Sequence, residues 1–299
     1  MLMSEVRREF IGDQAAGLRR VTNVRPVRVI AVTSGKGGVG KTNVSVNLGA
    51  ALANEGKSVL IMDADMGLAN VDVLLGLRPS YNLSHVINGE RTLEEIILTA
   101  AHKLSVIPAS SGLKSMVVLS SAQHAGIIRA FSELSQNMDV LIIDTAAGIS
   151  ESVISFSRAA QEVIVVLCDE PASITDAYAL IKLLNRDYGM HRFRILANMV
   201  QGVQEGRDLY NKIVKVVDRY LDATLDFMGT IPYDEYLKKA VQKQRSVVDA
   251  YPRSKSAMSF KKLAHKTDSW PVTMTAGGHL EFFVERLIQS NQFSGAVQP

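Results

Sequence analysis

Gly35, Lys36, Gly37, Gly38, Val39, Gly40, Lys41 and Thr42 follow one another in the chain, an order of residue types suited to holding a polyphosphate. The glycines let backbone N–H groups crowd around phosphate oxygens with no Cβ in the way. Lys41 would carry an ammonium group to the β- and γ-phosphates, and the Thr42 hydroxyl is the kind of oxygen ligand that Mg²⁺ takes. Such a loop must leave a strand and open a helix, whose N-terminus adds its positive dipole end. Residues 27–33 are apolar and β-rich, and 43–53 suit a helix, so the sequence meets both conditions.

Two further strand-like runs end in carboxylates. Residues 58–62 lead into Asp63, Ala64 and Asp65, and 140–143 lead into Asp144, Thr145, Ala146, Ala147 and Gly148. Open parallel sheets bind ligands at the carboxyl ends of their strands. A single aspartate after a strand is often a helix cap. Two sets downstream of a phosphate loop read instead as catalytic and metal-holding groups. Asp144 would hold Mg²⁺ through water, with Thr42 as the direct ligand. Asp63 would lie in the metal's surroundings or serve structure, and Gly148 would let its loop respond to the γ-phosphate. His85, His102, His124, His191, His265 and His279 are scattered without metal-ligand spacing, and no serine nucleophile elbow is present.

These groups need a scaffold, and the pattern supplies one. Apolar runs at 27–33, 58–62, 104–108, 140–143, 163–167, 193–197 and 225–231 alternate with helix-like stretches at 42–54, 119–135, 174–185 and 205–221. The runs are continuous rather than alternating, as in strands buried on both faces. The expected fold is therefore α/β: a doubly wound, mostly parallel sheet with helices on both faces. Hydrophobic residues make up 47% of the 299-residue chain and charged residues 21%, enough for a sizeable core. No apolar run is long enough to span a bilayer, no signal peptide is visible, and the lone Cys168 rules out a disulfide framework. A cytoplasmic setting follows as the expectation. Three parts are expected: a polar, basic extension at 1–26, a core domain carrying the phosphate loop at 27–270, and a loop with a last amphipathic helix at 271–299.

A plain phosphate loop needs only Lys41. With Lys36 as a second cation inside it, the chain resembles the deviant Walker A ATPases of the MinD/ParA group. In that group the first lysine crosses a dimer interface to the partner's nucleotide, the part an arginine finger plays elsewhere. The resemblance implies an ATP-dependent homodimer that hydrolyses ATP with Mg²⁺. Lys36, Lys41, Asp65 and Asp144 would carry catalysis, with Asp65 orienting the attacking water. It also implies adenine contacts from Asn198 and from the segment around Pro232 and Asp234, an amide being able to donate and accept at one edge. Asn43 stands where relatives often have a second threonine on the α-phosphate, which changes the detail of binding. The single cysteine sets the chain apart from the iron–sulfur-bridged relatives, which need paired thiolates.

Within the group, three features are similar to the flagellar-number regulators (FlhG, also called FleN). Residues 13–19 look like the short activator helix that stimulates the GTPase FlhF, with Gln14 and Arg19 as its polar groups. Residues 67–72 and 173–178 resemble that group's switch and interface segments. Leu280, Phe283, Val284, Leu287 and Ile288 recur at helical spacing, as in a membrane-targeting helix. Its polar face, with Glu281, Glu285 and Arg286, is poor in the cations that surface-binding helices usually carry. Membrane contact through 279–290 is thus expected to be weak and reversible, at the inner membrane or cell pole. FlhF and a flagellar transcription regulator are the expected partners. The runner-up is a chromosome-partitioning ATPase that coats DNA, on the strength of the lysines and arginines between Lys238 and Lys266. A formal net charge of only +3 argues against it.

Overall fold

The computed structural model describes residues 27–65, 70–109 and 138–271, together with Ile128, Ala130, Phe131, Glu133, Leu134 and Val284. The expected activator helix at 13–19, residues 67–69 of the switch segment and most of the stripe at 279–290 lie outside the described residues.

A parallel sheet organises the rest. Its strands are β1 (Arg28–Ser34), β2 (Val59–Ala64), β3 (Leu98–Thr99), β4 (Leu104–Ile107), β5 (Val140–Ala147), β6 (Glu162–Leu167), β7 (Arg192–Val200) and β8 (Thr224–Pro232). They lie in the order β3-β4-β2-β5-β1-β6-β7-β8, and every pairing except β3 with β4 is parallel. All seven residues of β1 are buried, as expected for a central strand with helices on both faces. The chain runs from β1 to one side through β2 and β4, then returns to the other through β6, β7 and β8. The order therefore reverses at β1, and the crevice beyond its carboxyl end is where such a fold takes a ligand.

Two layers of core cover the sheet. On one face α1 (Lys41–Asn54) lies under α10 (Lys255–Asp268), packing Val44, Leu48, Leu52, Phe260 and Leu263 with Ile30, Ile61 and Ile142. Almost the whole of α1 is buried, its small polar residues Ser45 and Asn47 as well as its apolar ones. On the other face α5 (Glu151–Ala159), α6 (Pro171–Arg186) and α7 (Val203–Tyr220) bury Phe156, Leu180, Leu184, Leu209 and Ile213 against Val29, Leu141 and Phe193. Val284 is helical and buried within this second layer, so one position of the C-terminal stripe is packed on the body.

Two buried arginines fasten the end of α10 to the sheet. Arg28 donates to the carbonyl oxygens of Thr267 and, at 2.9 Å, of Trp270. Arg194 bridges Glu162 and Asp226 and stacks its guanidinium 4.4 Å from the Trp270 ring centre. Such pairs are costly to break one partner at a time, because the remaining charge is left buried.

The expected strands are all present, and several run longer than their apolar stretches. β2 continues through Asp63 to Ala64 and β5 through Asp144 to Thr145 because each finds a ladder partner in the other, and Ala147 of β5 pairs with Ser34 of β1. β3, only two residues and antiparallel, carries no periodicity from which it could be read.

Candidate functional site

The loop from Gly35 to Gly40 leaves β1 and opens α1. Gly38 and Gly40 sit in the left-handed region, at φ 79° and 89°. The glycines differ in what forces them. A Cβ on Gly35 would fall 2.1 Å from the Asp176 carbonyl carbon in α6, and one on Gly40 would fall 2.5 Å from the Asn198 amide nitrogen. Gly37 has no neighbour within 4 Å and faces open space. Ser34 Oγ donates to the Lys36 carbonyl oxygen at 2.6 Å and accepts from Lys41 Nζ at 3.0 Å. Lys41 is buried, and burial lowers its ammonium pKa against the opposing pull of Asp144 and Asp65. The loop is thus folded around an ammonium group that is already poorly solvated.

Asp144 stands opposite. It is fully buried and accepts from Ser45 Oγ at 2.7 Å and from the Thr42 hydroxyl. Burial pushes its carboxyl up to about 7, with nearby Asp63 adding to the rise and Lys41 working against it. Its Oδ2 is buried without a hydrogen-bond partner. An orphaned carboxylate oxygen beside a threonine hydroxyl is a hard-oxygen set that suits Mg²⁺, which usually needs one or two carboxylates plus phosphates and water. The chain therefore fits the cation that its loop implies. Among the described residues no group of three His, Cys, Asp or Glu gathers into an all-protein metal cage.

The cleft above these groups encloses about 630 Å³. Gly37, Gly38, Gly40, Lys41, Thr42, Asn43 and Asp65 line it, with Ala147 at the end of β5. Six of the expected nucleotide-loop residues thus share one wall with the expected water-orienting carboxylate. Two other expectations need correction. Asp63 does not face the cleft: it accepts from the backbone N–H groups of Asp65, Asn70 and Val71, at 3.1, 3.0 and 3.2 Å. Its place is to anchor the segment that follows β2 rather than to meet a metal, and burial raises its carboxyl to about 6. Asp234 is likewise occupied as a cap. It accepts from Tyr236 N–H at the start of α8 (Glu235–Gln242) and from Ser256 N–H and Oγ at the start of α10. Lys36, which the resemblance sends to a partner's nucleotide, is ion-paired with Glu170 in its own chain and does not line the cleft.

Asn198 is buried at the end of β7 and donates to the Val39 carbonyl oxygen at 2.8 Å, so it braces the phosphate loop from behind. Its Oδ1 is buried without a partner. Pro232 closes β8 and is half-buried outside the cleft lining. The far wall is made by residues that sequence reasoning missed: Val73, Met199, Val241 and Gln244. Met199 and Gln244 both adopt positive φ, 59° and 52°, which is uncommon for non-glycine residues and concentrates at functional sites. Gln244 also donates to the Val73 carbonyl oxygen at 3.2 Å, tying the turn after α8 to α2 (Val71–Leu75). Met199 directly follows Asn198, so a search of strand-end neighbours would have found it; Gln244 carries no sequence signal.

Comparison with known proteins agrees with this geometry. Residues 25–268 match the family profile described as ParA: NUBPL iron-transfer P-loop NTPase. The antiactivator FleN of Pseudomonas aeruginosa is 60% identical over 280 residues, covering 94% of this chain and all (100%) of that protein. The flagellum site-determining protein YlxH of Helicobacter pylori is 34% identical, covering 85% of this chain and 90% of that protein. Among solved structures, the septum site-determining protein MinD of Pyrococcus horikoshii, complexed with Mg-ADP, superposes with a TM-score of 0.64. It covers 81% of this chain and 96% of that one at 23% identity, a likeness of fold.

Proposed function

The chain belongs to the ParA/MinD family of P-loop NTPases, and from that premise we propose that it is a nucleotide-switched ATPase that dimerises with ATP and sets the number or site of flagella. That it is a MinD-type ATPase follows from the family and the cleft. The observation that carries the dimer is the position of Lys36. Lys41 already supplies a cation inside the cleft, whereas Lys36 stands outside it on a half-exposed ion pair with Glu170. A half-exposed pair is worth little against solvent, so an incoming triphosphate on a second copy can take the lysine. Exposed apolar side chains stand at the opening: Val73 and Met199 line its wall, and Ile149 lies two residues beyond the lining Ala147. Two copies meeting face to face would cover them.

In this reading Lys41 and the loop amides hold the β- and γ-phosphates, and Asp65 orients the attacking water. Thr42 and Asp144 would hold Mg²⁺, which when bound neutralises charge on the phosphate oxygens. An adenine contact from Asn198 would require its amide to turn from the Val39 carbonyl toward the cleft. Asn70 and Asp65, tethered through Asp63, would report the γ-phosphate to α2. FlhF and a flagellar transcription regulator are the proposed partners, with weak inner-membrane contact through 279–290. Because Val284 is buried, that contact falls to other positions of the stripe. Among the described residues no helix is long and apolar enough to cross a membrane. Light scattering tests the switch: a dimer with ATP and Mg²⁺, a monomer with ADP, and a monomer with either for Lys36→Ala. A dimer equally stable with ADP would overturn it.

A further inference from the structure

Away from the nucleotide loop, three tyrosines in the stretch from the end of β8 to α10 each carry an ammonium group over the ring. Lys238 Nζ lies 4.9 Å from the Tyr233 ring centre and donates to its hydroxyl at 2.7 Å. Lys239 Nζ lies 5.2 Å from Tyr236, and Lys243 Nζ lies 5.1 Å from Tyr251. The Tyr236 and Tyr251 rings are 5.0 Å apart, tilted at 53°. They wall a cavity of about 360 Å³ that Ala250, Pro252, Arg253 and Ser254 complete. Tyr233 and Tyr236 are 45% and 49% exposed.

The charge on this face is one-sided. Lys238, Lys239, Lys243, Arg245, Arg253 and Lys255 make no ion pair with another described residue. The aspartates nearby are engaged elsewhere: Asp234 caps α8 and α10, and Asp249 accepts from Ser246 Oγ and Asn54 and faces His102. Glu235 is the exposed acid on this stretch. Cations gathered without counter-charges create a positive potential that attracts an acidic partner and speeds its encounter. Half-exposed tyrosines beside an apolar recess supply the anchoring that such interfaces concentrate in a few aromatic residues.

We propose that this face docks an acidic polypeptide segment, which lays carboxylates on Lys239, Lys243 and Arg253 and an apolar side chain in the recess beside the packed Tyr236–Tyr251 pair. A single strand of nucleic acid would want bare ring faces for its bases. Here each of the three rings already has an ammonium over it, and two of the rings pack on each other. The recess fits a branched or aromatic side chain better than a phosphate backbone does.

The test is fluorescence anisotropy on the full chain, using a labelled peptide of sequence Gly-Asp-Glu-Leu-Asp-Glu-Phe-Asp-Gly. Two control peptides replace its acids by amides or its Leu and Phe by Ser, and short duplex DNA is the third control. The acidic, apolar peptide should bind saturably and weaken with salt, and both control peptides should bind less. Charge reversal in Lys239→Glu, Lys243→Glu should weaken binding about tenfold or more. Tyr236→Ala, Tyr251→Ala should weaken it by a similar factor while ATP binding is retained, since none of these side chains lines the nucleotide cleft. Absence of saturable binding, or indifference to the charge-reversal pair, overturns the proposal. Tighter binding of the duplex than of the peptide also overturns it and assigns the face to nucleic acid.

Discussion

The floor and the rim of the nucleotide cleft are built on different principles. On the floor, Lys41, Asp144, Ser34 and Ser45 are all buried, and each is held by a defined partner. Low local dielectric makes these contacts strong and leaves the Asp144 Oδ2 conspicuous as a lone pair with nothing to accept. On the rim, Lys36 rests on Glu170 and Gln244 on the Val73 carbonyl, single exposed contacts that water can replace. The floor is pre-organised to hold phosphate. The rim holds groups in places they can leave, which is what a switch that recruits a second copy requires.

Variants can break that contrast. The largest effect should come from Asp65→Ala, which leaves the floor intact but removes the group proposed to position water. Its kcat should fall on the order of a hundredfold or more while ATP binding and dimerisation persist. Single-turnover phosphate release checks this, and normal hydrolysis would move the role to the loop after β5. Next is Lys41→Ala, which takes the cation from the floor. Charge-assisted hydrogen bonds are worth about 1.5–3 kcal/mol each, so nucleotide affinity should drop roughly ten- to a hundredfold, measurable by calorimetry.

A third variant reads the electrostatics of the floor without any ligand. Asp144 and Asp63 have folded-state values of about 7 and 6, raised above the ordinary carboxylate range by burial. A raised acid contributes stability that is present below the unfolded value and lost as pH climbs through the folded one. In chelator and without nucleotide, the melting temperature should therefore fall from pH 5 to pH 8. Asp144→Asn should flatten that slope and melt higher than the native chain at pH 8. An unchanged slope would mean that the carboxyl is better solvated than its burial indicates. The smallest effect belongs to the rim. Glu170→Gln frees Lys36 from its pair and should tighten ATP-dependent dimerisation only a few-fold, the worth of an exposed ion pair. Sedimentation equilibrium would detect it, and a weaker dimer would show that Glu170 itself serves the interface.

Much of this arrangement was legible from residue order. The loop from Gly35 to Thr42 and the carboxylates after two apolar runs are local signals, since a tight turn, a strand end and a helix start each depend on a few neighbouring residues. The central strands were legible for the same reason: a strand buried on both faces must be continuously apolar. Asp234 was misread because strand-end aspartates look alike in sequence. Whether one faces a cleft or caps a helix depends on where Ser256 arrives from the other end of the C-terminal region.

Residue order alone therefore determined that this chain folds around a phosphate site and carries a second lysine that the site does not need. Tertiary structure decided the rest. It placed Lys36 on Glu170, 134 positions away, and turned the Asn198 amide onto the Val39 carbonyl, 159 positions away. It brought Gln244 across to Val73, and set Tyr236 beside Tyr251 among uncompensated cations. The physical reason is range. Turn and strand preferences act over a few residues, whereas an ion pair, a buried amide or a cavity exists only once the sheet has brought distant strand ends to one edge.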